Sequence, residues 1–370
     1  MTAPEVRVLE VLGRSAGGIA GHVSQLTAAL DGSDGIRIAI AAPPGLPIQM
    51  PKEINPISIP DGPLMGHRGA ISKLRRLLRA WDIDVAHAHG LRAGIDTALA
   101  ARGLGVDVLL TVHNLVRPEV AGRLKAPFYR WAELAATRLC RHTFCVSEDI
   151  ARHLRAAVPS AAARIEVLYL GIEPPPEPRA PAAALRADLG IGDAAMIVTA
   201  ARLAPQKALH VLLEALVSVP RAHLAVLGEG PLEAHLKRLA RRLSVDERVH
   251  WLGFRKDAAD VIAAGDVFCL SSVWEGVPLS AQEAILLGTP VVATEVGGMS
   301  ELLSDGHSGR LVDPGDPAAL AQALRTSLED RDGAARMAKT ARSELAARFS
   351  TSRMLDRLRR AYTEGIGVGR

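Results

Sequence analysis

Two carboxylates, Glu275 and Glu283, stand eight positions apart in the stretch SVWEGVPLSAQEAILLGTP, residues 272–290. Apolar runs flank the stretch, which predicts strand, acidic turn, helix and strand, with Glu275 in the turn and Glu283 about one turn inside the helix. Carboxylates accept paired hydrogen bonds from vicinal hydroxyls, and backbone groups of such a turn can meet phosphate or sugar. The candidate binding residues of the turn are Gly276, Val277, Pro278 and Leu279. The alternative is a glutamate that caps a helix plus an exposed helical one.

Arg202 and Lys207 lie in the stretch ARLAPQKA, residues 201–208, which is predicted to be a turn between a strand and a helix. Arginine offers a planar fork and lysine a compact charge, so together they could neutralise a diphosphate leaving group. A solvated surface pair is the alternative.

A glycine pair and a histidine occupy two turns of the first half. Gly17 and Gly18 precede a helix expected to begin near Gly21, whose N–H groups could meet a phosphate; a plain tight turn is the alternative. His113 ends the apolar run DVLLTV, where it could bind a hydroxyl or act as acid or base. A satisfied structural histidine is the alternative. These turns follow predicted strands, and parallel sheets bind ligands outside the carboxyl ends of their strands.

No metal site is predicted. His87 and His89 have metal-binding chemistry, but two ligands without a nearby third make a poor site. The triplet Asp82-Ile83-Asp84 resembles a metal-binding DxD motif, yet it precedes a strand, and we interpret it as a helix-to-strand turn. The three cysteines are an odd number without a CxxC pair, so a disulfide framework and a zinc knuckle are both disfavoured and a reducing compartment is expected.

Charge and hydropathy limit the partners. The net charge is +4, basic runs of five are absent and aromatic residues are few, so nucleic-acid binding is not predicted. Neither a signal peptide nor a membrane-length apolar stretch is recognised, so a cytoplasmic location is expected. The amphipathic stretch ISKLRRLLRAW, residues 71–81, is either a surface helix docked on its own sheet or a helix that associates weakly with anionic lipid on the inner membrane face.

Strands and helices alternate along the chain, which predicts an α/β fold with two doubly wound parallel-sheet domains. Residues 1–173 are expected to form the first domain and residues 183–345 the second. Residues 174–182 contain five prolines, which fit neither a helix nor a central strand, so they are predicted to be a linker. The chain is expected to end in a helix within residues 346–370, and strands are not expected beyond the run VVAT at 291–294.

Together these motifs resemble the retaining glycosyltransferases of family 4, which have the GT-B fold of two Rossmann-like domains facing across a cleft. The resemblance spans nearly the whole chain. It rests on an E-x7-E motif, an Arg-Leu-x-x-x-Lys turn, and the stretches LGEGP at 227–231, LGFRKD at 252–257 and GGxxxH at 17–22. Ala201, Gln206 and Ala208 depart from the family pattern around the basic turn, as Ala20 and Asn114 do in the first half.

The resemblance implies roles for these residues. The catalytic candidates are His113, Arg202, Lys207 and Glu275. Arg202 and Lys207 would hold the donor diphosphate, Glu283 the ribose and Glu275 the transferred sugar, while His113 would meet a sugar hydroxyl near the reacting carbon. The residues expected around the phosphates and the base are Gly17, Gly18, Gly228, Gly230, Phe254 and Arg255. The last helix would cross back onto the amino-terminal domain.

The implied reaction moves a sugar from a nucleoside-diphosphate donor, of the UDP or GDP type, to an unidentified acceptor hydroxyl on a saccharide, lipid-linked glycan or small molecule. It retains the anomeric configuration and requires no metal or cofactor. Front-face attack is favoured over a carboxylate nucleophile, so Glu275 would bind sugar. The alternatives are a catalytically silent nucleotide-sugar-binding subunit, or another GT-B enzyme such as a phosphorylase or an epimerase.

Overall fold

The computed structural model describes residues 5–13, 18–44, 46, 54–60, 66–115 and 126–364, apart from the side chains of 126–129. Two compact units form, Met1–Gly171 with Ser350–Arg370, and Ile172–Phe349. Each unit has a parallel sheet covered by helices.

The strands of the first unit are β1 (Val6–Leu12), β2 (Ile36–Ala42), β3 (Ile54–Pro56), β4 (Val85–His89), β5 (Asp107–Val112), β6 (His142–Cys145) and β7 (Ile165–Val167). They form one parallel sheet in the order β3-β2-β1-β4-β5-β6-β7. Strands that are covered on both faces have nearly continuous apolar sequences, and β1 is buried throughout except at Arg7. The strand order reverses between β1 and β4, which makes the carboxyl ends of these strands a place for a ligand.

The strands of the second unit are β8 (Ala195–Ala200), β9 (Ala222–Leu227), β10 (Val249–Gly253), β11 (Val267–Leu270), β12 (Val291–Thr294) and β13 (Arg310–Val312). Their order is β10-β9-β8-β11-β12-β13, again in parallel pairs. This order reverses between β8 and β11, so the turns that follow these two strands lie at the switch point. The prediction of two doubly wound parallel-sheet domains is confirmed.

The helices of the first part of the chain are α1 (Gly18–Leu30), α2 (His67–Ala80), α3 (Leu91–Ala101), α4 (Ala126–Leu139), α5 (Glu148–Ala157), α6 (Ala182–Asp188) and α7 (Leu209–Val217). The later helices are α8 (Glu233–Arg242), α9 (Ala258–Ala263), α10 (Leu279–Leu287), α11 (Met299–Leu302), α12 (Pro317–Glu329), α13 (Arg331–Arg348) and α14 (Thr351–Thr363). Short 3-10 turns span Pro159–Arg164, Pro205–Lys207 and Asp246–Arg248.

Capping residues fix several helix ends. Ser147 accepts a hydrogen bond from the backbone N–H of Ile150 at the start of α5, and Asp316 accepts two at the start of α12, where Pro317 is the first helical residue. Gly288 ends α10 with φ +81°, a left-handed conformation that favours glycine.

Several expectations about the elements were wrong. Strands β3 and β13 and helices α6 and α13 were not expected, and α2 begins at His67, before the predicted Ile71. Each of the two strands has only three residues and lies at a sheet edge, so its sequence carries too few alternations to be recognised. Helix α6 begins inside the stretch predicted to be a linker, directly after Pro181.

Candidate active site

The two turns at the switch point of the second sheet are joined by hydrogen bonds. Val273 N–H donates to the carbonyl of Gln206 at 2.9 Å, and the Gln206 amide donates to the carbonyl of Trp274 at 2.9 Å. The Ser271 hydroxyl donates to the carbonyl of Lys207 at 3.1 Å. The turn 201–208 and the turn 271–278 therefore form one structure, although they are far apart in sequence.

Glu275 is held in this structure by two donors. Lys207 Nζ and Ser272 Oγ each lie 2.5 Å from Glu275 Oε1. The carboxylate is only 4% exposed, and Lys207 is half-buried beside it. Within the part of the chain that the structure describes, Oε2 of Glu275 has no hydrogen-bond partner, so one oxygen remains to accept from a ligand. Ser272 was not predicted as a site residue.

A glycine pair supports the backbone of the Glu275 turn. Gly298 N–H donates to the carbonyl of Gly276 at 2.8 Å, and Gly297 has φ +52°. A Cβ on Gly297 would lie 1.8 Å from the carbonyl oxygen of Glu275, and one on Gly298 would lie 2.1 Å from that of Gly276. Only glycine permits this approach. The glycine pair in TEVGGMS is the sequence signal for this close approach, and it was not predicted to belong to the site.

Glu283 lies in α10, partly buried. Burial raises the pKa of its carboxyl group, and none of the described residues provides a hydrogen bond or an ion pair to it. Arg202 is exposed and likewise has no acidic partner among the residues that the structure describes. A carboxylate and a guanidinium are thus both free to meet a ligand near the switch point.

The LGEGP stretch packs against the turn that carries Arg202. Gly228 has φ +114°, and a Cβ there would lie 2.3 Å from the carbonyl oxygen of Ala201. A Cβ on Gly230 would lie 2.4 Å from the carbonyl oxygen of Leu203. These two glycines therefore permit close packing of the Arg202 turn, whatever they contribute to a ligand.

The stretch after β10 presents an aromatic ring. Phe254 is 76% exposed, and its N–H donates to Glu229 Oε1 at 3.4 Å. The Arg255 guanidinium pairs with both carboxylate oxygens of Asp257, at 2.8 and 2.5 Å. A ligand at this stretch would therefore contact the exposed Phe254 ring and the Arg255 guanidinium, which is already paired with Asp257.

In the first unit, His113 follows β5 and is 7% exposed. Its Nε2 lies 3.0 Å from Nδ1 of His89, and His89 Nε2 lies 2.7 Å from Oε2 of Glu10. Burial lowers the pKa of His113 well below its usual range, and the neighbouring histidines His89, His22 and His87 lower it further. The imidazole is therefore neutral at physiological pH. Gly18 begins α1, and Gly17 lies outside the described residues.

The family follows from the sequence comparisons. The model for "Glycosyl transferases group 1" matches residues 182–344, and the model for "Glycosyltransferase Family 4" matches residues 16–174. A D-inositol 3-phosphate glycosyltransferase from Stackebrandtia nassauensis is 32% identical over 308 residues, which cover 76% of this chain and 68% of that protein. The chain belongs to glycosyltransferase family 4.

Two further proteins are similar to this glycosyltransferase. The lipopolysaccharide core biosynthesis glycosyltransferase LpsE of Rhizobium meliloti is 33% identical over 164 residues, 44% of this chain and about half, 48%, of that protein. The crystal structure of Anabaena Alr3699/HepE in complex with UDP and glucose superposes with a TM-score of 0.81 at 22% identity, covering 97% of this chain and 100% of that one. At this identity the superposition establishes the GT-B fold and nothing finer.

The expectation that His87 and His89 lack a nearby third metal ligand is wrong. Glu10, His87 and His89 of the glycosyltransferase offer ligand atoms that all lie within 4.8 Å of one another. This third ligand could not be recognised from local spacing, because Glu10 is 77 positions away from His87 and contacts it only through the pairing of β1 with β4. Asp82 and Asp84 lie between α2 and β4, as the helix-to-strand interpretation predicted.

The amphipathic stretch 71–81 of the glycosyltransferase lies mostly in α2, with its apolar side against the first unit. Leu74 and Leu78 are buried, and the Arg75 guanidinium donates to the carbonyls of Ala100 and Arg102 at 2.7 Å each. The apolar face of α2 is thus explained by its packing on the core of the first unit. Association of the exposed basic face with lipid stays a prediction. None of the described helices has the length and apolar character of a membrane span.

Proposed function

We propose that this glycosyltransferase moves a sugar from a nucleoside-diphosphate donor to an acceptor hydroxyl with retention of the anomeric configuration. The observation that carries the proposal is the group formed by Lys207, Glu275 and Ser272, together with Glu283 of the same unit, whose carboxylate has no partner among the described residues. Such a group combines hydroxyl acceptors with positive charge, which is what a sugar joined to a diphosphate requires.

Each part of the donor would contact different side chains. Glu283 has no protein partner among the described residues, so its two oxygens suit the two hydroxyls of ribose. The free Oε2 of Glu275 would accept from the transferred sugar, while Arg202 and Lys207 would face the diphosphate. Both UDP- and GDP-sugars fit this assignment of side chains to parts of the donor. The superposed HepE structure contains UDP and glucose, so UDP-glucose is the first donor to test.

The proposed reaction breaks the bond between the anomeric carbon and the diphosphate oxygen, and the acceptor oxygen forms its bond on the same face. The acceptor proton passes to a phosphate oxygen of the leaving group. Arg202 and Lys207 would stabilise the charge that develops there, an effect worth about 3 kcal/mol for each well-placed donor. With these cations in place, the reaction is proposed to proceed without a metal or cofactor.

Glu275 is a poor candidate for a covalent nucleophile. Lys207 and Ser272 both donate to its Oε1, and such bonds stabilise the carboxylate in its ground state. This supports front-face attack, with Glu275 as a sugar-binding group. The neutral His113 would contact a hydroxyl of the transferred sugar.

The first test is a thermal-shift screen against UDP- and GDP-sugars, because a ligand that binds only the folded state raises the melting temperature. The donor that binds is then incubated with saccharide, lipid-linked and small-molecule acceptors, in buffer with and without EDTA. Free nucleoside diphosphate and a glycosylated product of retained configuration are expected in both buffers. Glu283→Gln should weaken donor binding at least tenfold, whereas Glu247→Gln, at an exposed carboxylate of the same unit, should not.

Other outcomes identify the alternatives. Donor binding without release of nucleoside diphosphate would indicate a silent binding subunit, and conversion of the donor without an acceptor would indicate an epimerase. Formation of a sugar 1-phosphate from inorganic phosphate would indicate a phosphorylase. A product of inverted configuration would contradict the proposed mechanism.

A further inference from the structure

A row of buried polar side chains crosses the sheet of the first unit. Glu10 on β1 stands opposite His87 on β4, and His89 stands opposite Thr111 on β5. All four are buried, as is His113 directly after β5. Successive side chains of a strand alternate between faces, so positions 87 and 89, like 111 and 113, share one face of the sheet. The strands of a covered parallel sheet are usually apolar, which makes this row unusual.

One carboxylate lies at the centre of the row. Glu10 is fully buried, and its oxygens accept from the Tyr362 hydroxyl at 2.7 Å and from His89 Nε2 at 2.7 Å. Burial acts to raise the pKa of Glu10, but the interactions with His87 and His89 outweigh burial and hold the pKa below its usual range. Glu10 is therefore ionised and can only accept hydrogen bonds.

Because the Glu10 carboxylate can only accept, it determines which groups donate in the hydrogen bonds of Tyr362 and His87. Tyr362 donates to Glu10, so its oxygen accepts from His87 Nδ1, which lies 2.7 Å away. His87 Nε2 lies 2.7 Å from the Thr111 hydroxyl oxygen. Both ring nitrogens of His87 are thus paired within the row.

A second series of hydrogen bonds runs from Glu10 through His89 to His113, the candidate catalytic histidine. His89 must carry its proton on Nε2, because that atom faces Glu10. Burial lowers the pKa of His89, so its ring is neutral and Nδ1 is a lone pair. Nδ1 lies 3.0 Å from Nε2 of His113, so His113 must donate from Nε2. The remaining atom, Nδ1 of His113, is unprotonated and has no partner among the described residues.

We propose that Glu10, acting through His89, is a positioning residue that fixes His113 in the tautomer with its proton on Nε2. An accepting Nδ1 is then presented to the substrate. The role of this atom in sugar transfer rests on the proposed function, since only that function places a hydroxyl against it. Given that function, the sugar hydroxyl donates to His113 and does not accept from it.

The last helix takes part in the arrangement. Tyr362 on α14 is fully buried and donates to Glu10, 352 positions away in sequence. A second contact holds the same helix, where the Arg357 guanidinium donates to both oxygens of Glu166 at 2.9 and 2.8 Å. The C-terminal helix thereby completes the set of donors around the carboxylate that orients His113.

The same three residues, Glu10, His87 and His89, could in principle hold a metal ion. Their ligand atoms are instead paired with one another and with Tyr362 and Thr111. An ion would have to break these bonds inside a fully buried region. We therefore interpret Glu10, His87 and His89 as hydrogen-bonding groups and not as metal ligands. The test below also measures the metal content of the purified protein.

The test measures tautomers directly in protein labelled with ¹⁵N-histidine, by two-bond ¹⁵N–¹H correlation, with His113→Asn used to assign the His113 signals. Wild type is expected to show a protonated Nε2 and an unprotonated Nδ1 at His113. His89→Phe removes the acceptor for Nε2–H and should move the His113 proton to Nδ1. Glu10→Gln leaves one acceptor oxygen where two are needed and should produce a mixture.

Thr111→Val is the matched control, because it removes a hydrogen bond from the same buried row without touching the bonds of His89. Its His113 tautomer should be that of wild type. In transfer assays, His89→Phe should lower kcat at least tenfold with the donor KM changed less than twofold, while Thr111→Val stays within twofold of wild type in both.

Three results would overturn the inference. They are a His113 proton on Nδ1 in wild type, an unchanged tautomer in folded His89→Phe, or one equivalent of zinc in the purified protein. If wild type transfers no sugar at all, the proposed function fails, and the tautomer measurements still decide whether Glu10 and His89 orient His113.

Discussion

Gly297→Ala tests whether the glycine pair positions the Glu275 turn, residues 271–278. A Cβ at this position would lie 1.8 Å from the carbonyl oxygen of Glu275, whereas real Cβ atoms essentially never approach closer than 3.0 Å. The Glu275 peptide must therefore move by about 1.2 Å, the difference between these distances. Displacements of about 1 Å in a catalytic group cost roughly 100-fold in rate, so we expect kcat/KM to fall by about that factor.

The control is Gly288→Ala at the end of α10. Gly288 also has a left-handed backbone, with φ +81°, but a Cβ there meets nothing within 4 Å. Both substitutions place a side chain in the left-handed region, at a cost of about 1–2 kcal/mol. For a unit of this size such a cost corresponds to a melting temperature lower by about 2–8 °C. Gly288→Ala should show that loss alone.

The assays are thermal unfolding, donor binding by calorimetry and initial rates of transfer, for both variants and wild type. Gly297→Ala should lose donor affinity and kcat/KM beyond any loss in Gly288→Ala. If the two variants match within twofold in both measurements, the glycine pair does not position the Glu275 turn, and the reasoning from the short contact is refuted.

Three further predictions follow from charge and burial. Lys207→Met should lower the free energy of unfolding in urea by about 3–5 kcal/mol, because it leaves the Glu275 carboxylate buried without its cation. The double variant with Glu275→Gln should recover most of that loss but no activity; equal stability of the two variants would contradict this. Glu283→Gln should raise the melting temperature at pH 7.5, because burial raises the folded-state pKa of Glu283 and the stability present below its unfolded value of 4.5 is lost as pH rises through the folded pKa. The gain should therefore shrink below pH 4.5, and a gain independent of pH would count against the argument. For Glu166, burial acts to raise the pKa, but hydrogen bonds from His142 and Arg357 outweigh it and lower the value from 4.5 to about 2. Its contribution should thus be present above pH 4.5 and lost as pH falls towards 2, so the urea stabilities of Glu166→Gln and wild type should converge over that interval; a constant difference would show that the pairing is not responsible.

Local sequence patterns were sufficient for the alternation of the fold and for the turns at the strand ends. Short apolar runs separated by amphipathic segments predict a covered parallel sheet, because the hydrophobic period is a property of neighbouring residues. The same reasoning failed for β3 and β13, which have three residues each. Their place in the sheet comes from pairing with β2 and β12, an interaction that local periodicity does not encode.

The candidate site could be predicted from the sequence to the extent that its residues stand in recognisable turns. Arg202, Lys207, Glu275 and Glu283 were singled out in this way, and their roles in binding a donor stay predictions. Ser272 was missed because a serine beside a strand has no distinctive spacing. Gly297 was missed because its importance depends on a carbonyl oxygen 22 positions earlier in the chain.

The sequence by itself determined which chemical groups this glycosyltransferase has and the order in which its turns present them. Tertiary structure alone decided which atoms meet. Glu10 and His89 lie on two strands, His113 directly follows a third, and Tyr362 lies on the last helix. Their hydrogen bonds exist because strand register and helix docking place the atoms within 3.0 Å. Hydrogen bonds act only at such short range and in fixed directions, so the tautomer of His113 is a property of the folded arrangement.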